Sequence, residues 1–203
     1  ETVSPNGKLK IKLKIDKGTQ YEVWYDNTQL ILPSSIGLHL ADGRVIGNGS
    51  VKSAKKRKVN QTIDVFVGKN KELRDAYNEL TVSFNDSCDL VVRAYDEGVA
   101  YHFATRLNGE ITIISEDAIF NFASTPTIYY PECDANYSGE TDQSGRTHQV
   151  HQGYRNFERL YKVYKGPLEI PYERFAVSPV LYEYPDSPYK VVVTESNTYD
   201  YPA

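Results

Sequence analysis

The chain has 203 residues, 40% of them hydrophobic and 25% charged, with a formal net charge of −4. That size and composition suit one substantial globular core, and the acidic balance argues against nucleic acid as a partner. No apolar run approaches the ~18 residues of a membrane-spanning helix.

The chain contains no Met and opens on Glu1-Thr2-Val3-Ser4, as expected of a mature form without its signal peptide, or of an excised piece. From Leu9 to Ile15 the apolar residues fall on every second position, the period of a strand with one wet face. Asp16-Lys17-Gly18 turns the chain, and Gln20 to Tyr25 returns with Tyr21, Val23 and Tyr25 on one face, which predicts a hairpin. Leu30-Ile31-Leu32 is expected to end at Pro33, with a separate short strand over Ile36 to Leu40 before the turn Ala41-Asp42-Gly43. Gly47-Asn48-Gly49 is a second break.

Further strands are predicted over Thr62 to Val67, Glu79 to Phe84, Leu90 to Tyr95, Val99 to Ala104, Glu110 to Ser115 and Ala118 to Phe122. Asp96-Glu97-Gly98 makes a tight turn. Only Lys71 to Tyr77 has modest helical character. Pro131 to Asn156 is polar and poor in aliphatic residues, and a loop of that length is usually functional, covered by a partner, or mobile. Beyond it, Phe157 to Tyr164, Phe175 to Tyr182 and Lys190 to Thr194 read as strands separated by prolines. Many short strands with regular turn signals predict an all-β sandwich or barrel.

Several residues invite a chemical reading. Of 17 tyrosines, twelve lie at or after Tyr129, and such rings suit sheet packing, interfaces and sugar sites alike. His148 and His151 are spaced H-x-x-H, but a metal site would need more ligands and rigid geometry. Lys55-Lys56-Arg57-Lys58, placed between two predicted strands, reads as a charged edge that keeps a sheet from pairing with other chains. Asn48, Asn60, Asn85 and Asn136 begin glycosylation sequons, which matter only in a eukaryotic secretory pathway. Cys88 and Cys133 permit one bridge without demanding it. No nucleophile elbow, phosphate-binding glycine loop or zinc motif is present. Glu195 is a carboxylate just past the apolar strand end Tyr189 to Val193; read alone, it is an exposed strand-end residue.

Four blocks carry a resemblance. They are Ser4-Pro5-Asn6-Gly7-Lys8-Leu9, Val65 to Lys69 followed by Glu72 to Glu79, Arg93-Ala94-Tyr95-Asp96-Glu97-Gly98-Val99-Ala100-Tyr101, and Val193-Thr194-Glu195 with Tyr201-Pro202. Together they resemble the N-terminal domain of glycoside hydrolase family 97, the bacterial exo-acting α-glucosidases and α-galactosidases. The chain departs from the family at Ser196-Asn197 and Ala203, and the loop 131–156 has no counterpart motif.

The resemblance implies a large antiparallel β-sandwich (a super-sandwich) with little helix, forming a single domain over 1–203. It implies that the domain packs on a catalytic (β/α)8 barrel of the same polypeptide that, like any C-terminal domain, lies outside this sequence. The resemblance places a Ca²⁺ ligand on Glu195 and all catalytic residues in the barrel. The substrate would be an α-linked oligosaccharide, and the setting bacterial and periplasmic or secreted. Two other readings stand beside it: a free-standing carbohydrate-binding module with Tyr129, Tyr130 and Tyr137 as a sugar platform, and a structural or adhesive domain.

Overall fold

A computed structural model describes residues 1–131, 139–141, 147–149, 163–167, 178–185 and 187–196. The chain divides into two compact units, Glu1–Ala123 and Ser124–Ala203. Every described element is a β-strand, and every strand pairing is antiparallel. Among the described residues no helix is long and apolar enough to cross a membrane.

The first unit contains β1 (Thr2–Val3), β2 (Leu9–Ile15), β3 (Thr19–Tyr25), β4 (Thr28–Leu40), β5 (Val45–Ile46), β6 (Val51–Asp64), β7 (Glu72–Phe84), β8 (Cys88–Tyr95), β9 (Val99–Thr105) and β10 (Ile113–Ala118). One sheet runs β1-β2-β3-β4-β10, with β5 on β4, and the other runs β6-β7-β8-β9. The two sheets face each other because both alternate. Leu9, Ile11, Tyr21 and Val23 are buried on the first, and Leu80, Val82, Leu90, Val92 and Ala94 on the second. Leu38 and Leu40 of β4 share a cluster with Ile46 and Cys88, closed by Phe103. The Tyr21 ring meets that of Tyr101 at 5.9 Å. This is the sandwich that the alternation and the resemblance predict.

The glycine break at Gly47 is required by packing. Its φ is 81°, and a Cβ there would lie 2.4 Å from the Phe103 ring. Only glycine fits such a position without displacing the ring. Its neighbour Asn48 accepts the Thr19 N–H at 2.7 Å, so this sequon side chain is held inside the turn.

Three local expectations are corrected. Lys71 to Tyr77 is not helical; from Glu72 onward it is strand, paired residue for residue with β6. Glu, Leu, Arg and Ala favour helix on their own, but a long hairpin partner and the packing of Tyr77 override that preference. Leu30–Leu32 and Ile36–Leu40 are one strand of 13 residues. Pro33 is tolerated because the β3 register shifts between Tyr21 and Val23, so the missing N–H falls at a bulge. The basic run Lys55–Lys58 lies within β6, not between strands. Since β6 is the outer strand of its sheet, the charged-edge reading holds in a different place from the one expected. Strand ends move as well: the predicted Thr62–Val67 strand stops at Asp64, and β10 starts at Ile113.

The second unit contains β11 (Thr127–Pro131), β12 (Gly139–Thr141), β13 (Thr147–Gln149), β14 (Val163–Pro167), β15 (Val180–Glu183) and β16 (Lys190–Val193). One sheet runs β14-β11-β15-β16, and β12 and β13 form a separate hairpin. Ile128, Tyr130 and Val180 are its buried cluster, with Tyr182 against them. Cys133, Asn136, Tyr137, His151, most of the predicted loop 131–156, residues 157–162 and Tyr199–Ala203 lie outside the described residues.

Candidate functional site

Two carboxylates define the chemistry that the described residues offer. Glu79 sits mid-strand in β7, directly across from Arg57 on one side and Arg93 on the other. Its side chain is 7% exposed. Arg57 Nε and Nη2 donate to Oε1 and Oε2 at 2.6 and 3.0 Å, and Arg93 Nε donates to Oε2 at 2.9 Å. Burial alone would raise this carboxyl, but the hydrogen bonds from the two guanidiniums outweigh it and hold Glu79 below its ordinary range.

The surroundings complete the lock. The Arg93 guanidinium lies 4.7 Å from the centre of the Tyr77 ring, a cation–π contact. Tyr77 and Tyr95, paired across β7 and β8, have ring centres 4.9 Å apart. His102 is pushed below its ordinary value, first by burial and then by the charge of Arg93. Both carboxylate oxygens of Glu79 are taken, so it is a structural tie and not a free acid or base. Spacing alone gave no sign of it, because Arg57, Glu79 and Arg93 meet only through strand register.

The block around Arg93 to Tyr101 is therefore scaffold. Tyr95 N–H closes the Asp96-Glu97-Gly98 turn on the Gly98 carbonyl at 2.8 Å. Asp96 Oδ1 accepts the Asn6 N–H at 2.8 Å, which ties the opening block to this turn. Asn78, from the preceding block, donates through Nδ2 to the Val3 carbonyl at 2.7 Å and accepts from Thr2 at 3.4 Å. Three of the four recognisable blocks thus interlock in one corner of the sandwich.

Glu195 has the opposite setting. It follows β16, the outer strand of its sheet, whose register with β15 ends at Val180↔Val193. The residue is exposed, as are Thr194 and Ser196 beside it. Among the described residues no hydrogen-bond or ion-pair partner meets its side chain, and no group of three or more His, Cys, Asp or Glu gathers anywhere. Among the described residues both of its carboxylate oxygens are free to accept, at an exposed strand end. That suits one ligand of a hard cation such as Ca²⁺, which takes 6–8 oxygens and would need the others from elsewhere.

The tyrosine platform is corrected at one position. Tyr130 is 2% exposed and belongs to the core of the second unit. Neighbouring residues on a strand face opposite ways, so Tyr129 points elsewhere and donates its hydroxyl to Glu183 Oε2 at 2.6 Å. Those two rings cannot present one flat sugar face. His148 lies in β13, its backbone paired with Glu140.

The family described as "Glycosyl-hydrolase 97 N-terminal" matches residues 2–203. The chain belongs to that family. A curated relative, a retaining alpha-galactosidase of Bacteroides thetaiotaomicron, is 27% identical over 200 residues, spanning 98% of this chain and 29% of the relative. This glycosyl-hydrolase 97 N-terminal domain is thus under a third of that protein's length. Among solved structures, a beta-arabinopyranosidase has a TM-score of 0.67 at 18% identity, covering 89% of this chain and 29% of its own. A glycoside hydrolase family 97 enzyme of Pseudoalteromonas sp. strain K8, in complex with panose, has a TM-score of 0.58 at 20% identity, over 64% of this chain and 22% of its own. At those identities the structures speak to the fold, which agrees with the sandwich described above.

Proposed function

We propose that this glycosyl-hydrolase 97 N-terminal domain serves an exo-acting α-glycosidase, a glucosidase or galactosidase. In this reading it packs on a catalytic barrel of the same polypeptide and lends Glu195 as one Ca²⁺ ligand to the active site. The observation that carries the proposal is Glu195: an exposed carboxylate without a partner among the described residues, in the block Val193-Thr194-Glu195 whose resemblance to the family implies the ligand role. The curated relative, an alpha-galactosidase, supports the substrate class.

Bound Ca²⁺ would orient sugar hydroxyls and nearby carboxylates. The part of this chain is narrower. The sheet β14-β11-β15-β16 holds β16 through its pairing with β15, and the Glu195 carboxylate follows at the end of that strand. Acid, base and nucleophile belong to the barrel. A periplasmic or secreted setting belongs to the same proposal.

The test uses the complete polypeptide and chromogenic α-galactosides and α-glucosides, with Ca²⁺ titrated from a chelated start. The Glu195→Gln variant should need at least ~10-fold more Ca²⁺ for half-maximal activity, the scale of losing a group that supports a metal. Equal Ca²⁺ dependence in both proteins would remove Glu195 from the site.

A further inference from the structure

The hairpin of β6 and β7 runs well past the sheet that supports it. β7 pairs with β8 only from Tyr77↔Tyr95 to Ser83↔Asp89, whereas its pairing with β6 continues out to Asp64↔Glu72. Five residue pairs, from Asn60↔Ala76 outward, therefore form a two-stranded ribbon, which at ~3.4 Å per residue projects about 17 Å before its tip. Residues 60–74 are exposed on both faces except Val65, which is half-buried.

Its apolar residues are misplaced for solvent. Phe66 is 102% exposed and Val67 82% at the tip, and the cross-strand pair Ile63↔Leu73 is exposed by 42% and 44%. An isolated two-stranded ribbon is marginal in water, so an extended one ending in an unburied aromatic ring gains from a second surface.

Charge narrows what that surface is. Residues 51–75 hold eight Lys and Arg against three Asp and Glu, a local +5 in a chain of net −4. Two copies pairing along β6 would bring Lys55–Lys58 of each together, which like-charge repulsion opposes. The curated relative, in contrast, extends far beyond the match, since this chain spans 29% of it.

We propose that the β6–β7 arm clasps the remainder of the same polypeptide, seating Phe66 and Val67 in an apolar recess with an acidic rim. This rests on the reading of the chain as one domain of a longer glycosidase. The arm acts as an intramolecular brace, with Phe66 as its anchor and the lysines Lys69 and Lys71 at the rim.

The test places the photo-reactive analogue p-benzoylphenylalanine at Phe66 in the complete polypeptide and maps the cross-link by mass spectrometry. The expected product has monomer mass and joins position 66 to a peptide beyond residue 203. A dimer-mass product, a cross-link within 1–203, or none would overturn the proposal. As a second readout, Phe66→Asp should speed amide exchange over residues 62–73 at least ~10-fold by undocking the arm; unchanged exchange would also overturn it. Activity on α-glycosides is measured in parallel. A cross-link without activity would count against the glycosidase reading alone, and activity without a cross-link against the arm alone.

Discussion

Glu79 and Glu195 are the same side chain in two settings. Glu79 lies in the middle of a sheet, with both oxygens held by two arginines and an aromatic pair beside them. Glu195 stands past the end of an outer strand, exposed. A carboxylate whose lone pairs are already filled has nothing left to offer a ligand, whereas an open one does. The blocks that make the family recognisable are mostly of the first kind, and a block can mark ancestry while serving only as scaffold.

The sharpest way to break the contrast is to exchange the consequences. Glu195→Gln should leave the unfolding free energy measured in urea within ~0.5 kcal/mol of the parent, while raising the Ca²⁺ needed for the proposed glycosidase activity. Glu79→Ala should do the reverse in kind, costing about 3 kcal/mol in chemical denaturation, because two guanidiniums lose their shared counter-charge. If Glu79→Ala were stable and inactive, the assignment of Glu79 as scaffold would fail.

Smaller effects sharpen the picture. Truncating one arginine leaves the other in place, so Arg93→Ala should cost about 1–2 kcal/mol. It also removes the cation over Tyr77. Acid should act through the same network. The Glu79 carboxyl is depressed on folding, so its contribution is full above its unfolded value of 4.5 and is lost as pH falls through the folded value. His102 is depressed as well, so below 6.5 the unfolded chain takes up its proton more readily than the folded one and stability begins to drain away. Stability measured from pH 7 to 3 should therefore fall steadily, with the part below 4.5 shallower in Glu79→Ala, where Asp89, also depressed by its Arg106 partner, remains.

The smallest effect concerns Cys88. It is fully buried and its thiol is pushed up to about 12, first by burial and then by Asp86 and Asp89. Native protein should resist alkylation there by iodoacetamide at pH 8, and urea should release the site. Rapid native labelling at Cys88 would show that this corner of the core opens.

Much of the architecture was legible along the chain. Alternation placed β2, β3, β8 and β9 almost to the residue, since a strand with one buried face shows a period of two whatever its partners. Turn chemistry placed the breaks at Gly43, Gly47 and Gly98. Where the strands depart from that local pattern, their neighbours overrule it. Pro33 reads as a stop until a bulge in β4, opposite β3, absorbs it, and Glu72 to Tyr77 reads as weakly helical until β6 pairs with it.

By itself the sequence determined the strand period, the glycine turns, the family and the position of Glu195, because each is carried by contiguous residues. Only the tertiary structure decided which acid is engaged and which is open, that Tyr130 belongs to a core and not a sugar face, and that the basic run lies on an outer strand beneath a projecting arm. Those outcomes depend on which strands become neighbours and in what register. Residues 57, 79 and 93 meet because three strands align across a sheet, a relation that no spacing along the chain encodes.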